Sequence, residues 1–543
     1  MAESTPIPII CCGKREEVGR IVIEGLKPEI EVVHFVLAED SAAIIIPPIL
    51  AGQGPPAHPE LSSIGTGNFS QVPKAVLLGG AFDDETIAKL RDAVNQTAGT
   101  RKVPWLSRDH KKNELTVFDP QYIADAAVVK PSNSEEVSEA LRYATSHAIP
   151  VVVKGGGHST SGTSASDGGL VIDLGLMNTV EVEAERKIVR VGGGALWRDV
   201  DEKCWADKLA IVGGTVNDTG VGGLTLGGGF GYLMPKYGLT LDTLIEAEVV
   251  LADGRVVTTS ETENADLFWG LWGAGQNFGV VTSFVFQAHS QGDVYSGVIG
   301  LALQSLSLVV DFTNLMHERQ DPDSALVWGI SCSPTENEPI IVGTIFYNGS
   351  EADGAAFFKP LLDAATFSQA HSRPYPEVNT LFNDTFKRPL RALQGGTTFA
   401  PPLRKEQVEE TLEIFIPLLK SNGLHRSILA YEILPNKKVR EVGEEATAFA
   451  ARHNIYHIST LWIWSDAATD GLVRGFNRKV INHIKETGGN SQWVTQYNNY
   501  AGDVADPRQR FGPNLERLQV LKKKYDPNNV FWKWHSFFGG GEL

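Results

Sequence analysis

Val151-Val-Val-Lys-Gly-Gly-Gly-His-Ser-Thr-Ser-Gly-Thr163 is the stretch that decides how this chain is read. An apolar, β-branched run stops abruptly at glycines, one histidine and a group of small hydroxyl residues. Glycine admits positive φ and lets the backbone come within contact of a ligand. Successive N–H groups in such a turn form a concavity suited to a pyrophosphate. Lys154, Gly155, Gly156, Gly157, Ser159 and Gly162 are therefore candidate cofactor contacts, and His158 puts an imidazole inside the turn. A second glycine run, Gly220-Val-Gly-Gly-Leu-Thr-Leu-Gly-Gly-Gly-Phe-Gly231, follows downstream. It is not the dinucleotide fingerprint, because no strand–GxGxxG–helix unit with a later acidic residue frames it. Two such loops imply a large anionic cofactor gripped from two sides.

The chain has 543 residues, enough for two or three domains with a buried core. Hydrophobic residues make up 42% and charged residues 21%, the balance of an ordinary globular protein. A net charge of −17 argues against nucleic acid or an anionic membrane as partner. Cys11, Cys12, Cys204 and Cys332 are too few and scattered for a disulfide framework, and the adjacent pair has no metal-site spacing. A reducing compartment fits. The N-terminus lacks the basic start and long apolar core of a secretory signal. No run approaches the roughly 20 apolar residues of a membrane span. The expectation is a soluble, cytoplasmic protein without a metal.

Residues 1–118 read as a small parallel α/β domain, with strands at 7–12, 30–36 and 74–78 alternating with helices at 15–26 and 84–94. Residues 41–50 stay ambiguous because Pro47-Pro48 interrupts them. The strands of this block are expected to pair among themselves, with Ser107 to Glu114 as a polar linker. An α+β region follows, beginning with a strand at Ala126 and a helix capped by Ser132 or Ser134. Its later strands lie at 149–154, 170–174, 187–191, 246–251 and 279–288, with Asp253-Gly254 as a hairpin turn. Residues 295–489 mix long strands with amphipathic helices, such as 405–419 and 439–452, and form a second lobe.

Several pieces, in order along the chain, carry a family resemblance. They are Ala127-Val-Val-Lys-Pro-Ser-Asn-Ser-Glu-Glu-Val137, Gly155-Gly-Gly-His-Ser159, Val191-Gly-Gly-Gly-Ala-Leu-Trp197, Gly220 to Gly231, Tyr237-Gly-Leu-Thr-Leu-Asp242, Asp266 to Val281, and Tyr525-Asp-Pro-Asn-Asn-Val-Phe531. Residues 119–543 thereby resemble the vanillyl-alcohol oxidase/p-cresol methylhydroxylase (PCMH) flavoproteins, and within them the berberine-bridge-enzyme-like and 6-hydroxy-D-nicotine-oxidase-like oxidases. Residues 1–118 lie outside that pattern and have no assigned role.

The resemblance implies a two-lobed α+β PCMH-type fold. Residues 119–294 would bind FAD, 295–489 form an α/β substrate lobe, and 490–543 return to the flavin domain. His158 falls at the position that attaches FAD covalently through its 8α-methyl. Relatives with a second link carry a cysteine where this chain has Val216, so a single attachment is expected; Cys204 lies too far upstream to substitute. Further cofactor contacts fall on Thr215, Thr219, Gly220, Gly223, Leu224, Gly227, Gly229, Gly231, Val280 and Asn499. Thr219 stands where relatives control access of O2, and its valine-like size favours an oxidase.

Tyr497 and Tyr500 align with aromatic residues on the flavin face, with core packing as the competing reading. Glu432, among apolar neighbours, has the character of a base with raised pKa; an exposed carboxylate on the outer face of its strand is the plainer alternative. His535 has no assigned role, and Lys522-Lys-Lys524 reads as a solvated helix end. The implied reaction passes hydride from an alcohol, amine or secondary metabolite to flavin N5, with orientation as the main catalytic demand. A base takes a proton and O2 reoxidises the flavin. The alternatives are a dehydrogenase using another acceptor and a flavin-bearing binding or scaffold protein. Trp462, Trp464 and Trp493 would suit an aromatic substrate, though core packing explains them equally well.

Overall fold

The computed structural model describes residues 6–538 apart from 14, 28–29, 38, 60, 79–83, 102, 104, 108–126, 167, 334–337, 384–390, 422, 490–495 and 501–505. The expected linker beyond Ser107, and Trp493, lie outside the described residues. The chain divides into two compact units. The first comprises 1–154, 164–177 and 250–256; the second comprises 155–163, 178–249 and 257–543.

The first unit is built on one sheet. Its strands are β1 (Ile7–Cys12), β2 (Ile30–Val36), β3 (Val76–Leu78), β4 (Trp105–Ser107), β5 (Ala127–Val129), β6 (Val151–Lys154) and β7 (Leu170–Asp173), in the order β2-β1-β3-β4-β5-β7-β6. Ile9, Ile10, Cys11 and Cys12 are all at most 3% exposed, as expected for a parallel strand covered on both faces. The stretch with two prolines resolves as helix Glu39–Leu50. Ala42, Ile45, Ile46, Ile49 and Leu50 recur at helical spacing and are at most 1% exposed, so burial of that stripe outweighs the amides lost at Pro47 and Pro48.

The N-terminal strands do not pair only among themselves. β4 pairs antiparallel with β5, placing Leu106 opposite Val129, so the sheet continues across residue 118. Arg91 also forms a buried ion pair with Glu136 on helix Ser134–Ser146. A three-residue strand carries too little pattern to show its partner. The cap of that helix is Asn133, whose side chain accepts from the Glu136 amide, because Ser132 turns its own amide toward the Glu136 carboxylate.

β8 (Val180–Glu183), β9 (Ile188–Gly192), β11 (Leu244–Leu251), β12 (Val256–Ser260) and β13 (Gly279–Gln287) form another sheet, in the order β12-β11-β13-β9-β8. The short strands β10 (Leu209–Ala210) and β14 (His289–Ser290) pair with each other. Gly254 takes φ +82 in the expected hairpin turn.

An eight-stranded sheet follows, made of β15 (Val294–Leu301), β16 (Ser324–Cys332), β17 (Pro339–Tyr347), β18 (Phe367–Ser368), β19 (His371–Arg373), β20 (Arg391–Phe399), β21 (Ile428–Ile433) and β22 (Tyr456–Trp464). Its order is β18-β15-β17-β16-β21-β22-β20, with β19 also on β15. Alternation separates two faces. Trp328, Ile345, Tyr431, Ile458 and Trp462 belong to one apolar core with residues of helices Leu306–Arg319, Lys405–Leu419 and Asp470–Thr487. The opposite face carries Thr344, Val327, Glu432, His457 and Thr398 in successive register on β17, β16, β21, β22 and β20.

Two further expectations are corrected. Helix 439–452 shrinks to Lys437–Arg440. Beyond it Ala448 and Phe449 donate their amides to Trp269 O and Trp272 O, and Arg452 turns inward to Asp242 at 2.6 Å. Lys522 is not a solvated helix end. It is 1% exposed and donates to Asn277 O at 2.7 Å, Asp526 Oδ2 at 2.8 Å and Phe531 O at 2.9 Å. Among the described residues no helix is long and apolar enough to cross a membrane.

Candidate active site

The two glycine loops meet backbone to backbone. A Cβ added to Gly156 would lie 2.7 Å from Gly220 Cα, and one added to Gly220 would lie 2.9 Å from Gly156 Cα. Only glycine at both positions allows this approach. Leu196 bridges to Gly220, and Val221 N donates to Ala195 O at 3.0 Å, fixing the second loop where helix Val221–Leu226 begins. His158 is partly exposed in the first loop. Its Nε2–H donates to Asp218 Oδ1 at 2.7 Å, with Thr219 Oγ1 at 3.4 Å. Thr219 thus lies directly beside the expected attachment residue.

The end of the second loop is held by Tyr497 and Asn499. Gly229 takes φ +86, and its amide donates to Tyr497 Oη at 3.1 Å. Asn499 Nδ2 donates to the same oxygen at 2.7 Å and to Leu224 O at 3.1 Å. An added Cβ at Gly227 would lie 2.7 Å from Asn499 Cγ. Tyr497 packs on Phe230 at a ring-centroid distance of 4.3 Å and edge-on to Tyr500 at 4.8 Å. Tyr500 O–H donates to Glu432 Oε1 at 2.8 Å, and Ser459 Oγ lies 3.3 Å from the same oxygen. Burial pushes the Glu432 carboxyl up to about 7, and burial also raises both tyrosine hydroxyls. Glu432 is thus half-buried and directed at Tyr500 rather than exposed on an outer face.

The other expected contacts differ in exposure. Lys154, in the first unit, donates to Asp173 at 2.7 Å. Ser159, Gly162 and Gly223 are exposed, Gly155, Gly157 and Thr215 partly exposed, and Gly231 is buried. Val280 is wholly buried on β13, so its contacts are those of the core. Val216 is partly exposed, whereas Cys204 is fully buried with its thiol pushed up to about 12 by burial. His535 has a structural place: its Nε2–H donates to Asn498 O at 2.7 Å, and Asn498 lies between Tyr497 and Asn499, the two partners of the loop. Trp462 is fully buried and donates to Asn477 at 3.1 Å, so core packing accounts for it.

Two residues were missed from the sequence. Asp218 lies in Thr215-Val-Asn-Asp-Thr219 directly before the second glycine run, a position next to candidate contacts that could have drawn attention. His457 sits opposite Glu432 on β22 and packs on Phe230 at 4.3 Å; burial lowers its pKa to about 3, so it is neutral. Only the strand register brings it to the site.

The residues present fit the group that the sequence implies. Bare backbone at Gly156 and Gly220, an imidazole held by a carboxylate, and a tyrosine, Tyr497, tied to the second loop all suit a large planar cofactor with an anionic tail. Comparison with known proteins agrees. Residues 125–260 match the "FAD binding domain" family and residues 496–536 the "Berberine and berberine like" family. The FAD-linked oxidoreductase pgmH of Aspergillus terreus is 32% identical over 483 residues, covering 84% of this chain and 96% of that one. FAD-linked oxidoreductase fogF of Aspergillus ruber is 31% identical, covering 75% and 84%.

Among solved structures, chitooligosaccharide oxidase matches with TM-score 0.66 and 26% identity over 77% of this chain and 92% of that one. 6-Hydroxy-D-nicotine oxidase from Arthrobacter nicotinovorans has the same fold, with TM-score 0.65 and 24% identity over 79% and 95%. The chain belongs to the berberine-bridge-enzyme-like FAD-linked oxidoreductases. It is an enzyme, its cofactor is FAD, and its fold is the expected α+β PCMH type.

Proposed function

We propose that this oxidoreductase removes hydride from a carbon bearing a hydroxyl or amine in a small organic substrate, with O2 as the final acceptor. The hydrogen bond from Tyr500 to Glu432 carries the reading. FAD, when bound, supplies the two-electron acceptor at N5. Residues 119–294 and 490–543 hold it through the paired glycine loops, and the polar face of the 295–489 sheet receives the substrate. Glu432, with its pKa near 7, takes the substrate proton directly or through the Tyr500 hydroxyl. His457, neutral and opposite Glu432 on the sheet, adds no competing charge.

His158 provides the single covalent link. Asp218 engages Nε2, which presents Nδ1 as the bonding nitrogen. Valine at 216 supplies no thiol for a second link. The names of the matched oxidases and the small side chain of Thr219 support O2 as acceptor.

The test is anaerobic reduction of the enzyme by candidate alcohols and amines across pH. Below about pH 7 Glu432 is protonated and accepts no proton, so reduction should accelerate as pH rises through 7. Glu432→Gln should abolish that rise and slow reduction by roughly 10²–10⁴-fold. An unchanged profile removes Glu432 from the chemistry. Recovery of oxidised flavin within seconds in air supports the oxidase; recovery over minutes favours a dehydrogenase.

A further inference from the structure

Asp201 is a buried carboxyl that the reaction above does not use. It lies in helix Trp197–Ala206, is 7% exposed, and has its pKa raised to about 7 by burial. Burying such a group is unfavourable unless it is hydrogen-bonded. Its partner is Asn379, which is 0% exposed and whose Nδ2 donates to Asp201 Oδ2 at 2.8 Å.

Asn379 is tied to the flavin side as well. Its carbonyl accepts the Asn217 amide at 3.0 Å. The Asn217 carbonyl accepts from Arg198 N at 2.8 Å, and the Thr219 carbonyl accepts from Trp197 N at 3.0 Å. Residues 217 and 219 are therefore pinned on either side of Asp218, whose carboxylate meets His158 Nε2 at 2.7 Å. The same helix carries Asp201 and the amides that hold the loop.

We propose that Asp201 and Asn379 are positioning residues for flavin attachment, setting Asp218 so that it orients His158. This rests on the reading of His158 as the attachment residue. In that step His158 Nδ1 forms one bond to the flavin 8α carbon. The carbon loses one hydrogen as a proton to solvent and the imidazole its Nε2 proton to Asp218, and these two protons balance the two taken up by O2. The two electrons released reduce the ring system and pass on to O2, giving hydrogen peroxide. Asp218 acts on an atom already in contact; Asp201 and Asn379 act through it. A shift of about 1 Å in a reacting group costs on the order of 10²-fold in rate, so loosening residues 217–219 should be felt at His158.

The experiment incubates full-length protein with excess FAD and follows the flavin that stays with acid-precipitated protein, alongside total bound flavin and Tm. Asp201→Ala and Asn379→Ala should bind FAD but attach it at least tenfold more slowly than wild type. Asp201→Asn keeps an acceptor for the Asn379 amide and should attach at nearly the wild-type rate. Asp218→Ala leaves the buried pair intact and should also attach slowly, which keeps the test decisive if the Asp201→Ala or Asn379→Ala protein does not fold. Wild-type rates in Asp218→Ala, or in both other alanine variants, overturn the proposal, as does an Asp201→Asn protein as slow as Asp201→Ala. Fully extractable flavin in wild type overturns the covalent reading itself and is seen before any variant is made.

Discussion

Replacing Arg91 with alanine should loosen the first unit by about 3–5 kcal/mol, the range for leaving one member of a buried ion pair without its partner. The Arg91 and Glu136 side chains are only 7% and 10% exposed, so solvent offers the orphaned carboxylate little compensation. Glu136 keeps the Ser132 amide at 2.8 Å and hydroxyl at 3.2 Å, which places the loss toward the lower end. The Arg91 guanidinium also lies 6.0 Å from the Trp105 ring centroid, a contact contributing about 0.5–1 kcal/mol. A local loss of about 3 kcal/mol corresponds to roughly 10²-fold faster amide exchange. Hydrogen exchange read by mass spectrometry on peptides covering 127–146 should show it. Arg91→Met with Glu136→Met should recover most of the protection, because an apolar pair leaves no buried charge. A chain begun near residue 119 should be insoluble or strongly destabilised, since it lacks both the ion pair and the β4 partner of β5. Unchanged exchange in Arg91→Ala, together with a stable yellow protein from the shortened chain, would refute the reasoning.

Lys522→Met should cost about 3–5 kcal/mol, because it strands the fully buried Asp526 carboxylate and leaves two carbonyls unpaired; Tm and denaturant midpoint measure it. Asp201 has a folded pKa of about 7 against an ordinary value of 3.8, so the native state favours its protonated form. Its stability contribution is fully present below about pH 4 and is lost as pH rises to 7, by at most about 4 kcal/mol. Asp201→Asn should therefore gain stability over wild type between pH 5 and pH 8, and a constant difference across that range would contradict the assignment. Proteolysis of acid-washed enzyme should yield one flavin-bearing peptide, containing His158; a second such peptide would contradict the role given to Val216.

What the sequence made legible was local. Each glycine loop shows its backbone demand through its own composition, and the β-branched run before Gly155 shows a strand ending in a turn. The fold class followed from the family resemblance, carried by motifs that stand in order from Ala127 to Phe531. Contacts between distant segments were not legible. Arg91 and Glu136 each look like exposed helix charges, and only the folded chain brings the two together as a buried pair. Val439 to Arg452 has helical spacing, yet Arg452 points to Asp242 and the backbone amides before it go to Trp269 and Trp272. In Lys522-Lys-Lys524, charge alone does not say which residue turns inward. The helix buries Lys522 beside Asp526 and leaves Lys523 and Lys524 exposed.

The substrate lobe shows why an active-site face can hide in an ordinary strand pattern. β21 reads Ile-Leu-Ala-Tyr-Glu-Ile, and alternation alone places Leu429, Tyr431 and Ile433 in the core. The carboxylate of Glu432 is then left on the opposite face, which in a strand of unknown surroundings is normally wet. Register changes that reading. Pairing with β22 puts His457 opposite Glu432, and Tyr500 from the C-terminal segment closes over the carboxylate. A polar residue on the outer face of an isolated strand thus becomes a half-buried acid because a distant segment covers part of it. The same segment carries Tyr497 and Asn499 onto the glycine loop, so the group expected to hold the proton and the loop expected to hold the flavin are set by one stretch of backbone. Substitutions that displace residues 497–500 should consequently disturb cofactor binding and proton transfer together, whereas a change at Glu432 alone should spare the cofactor.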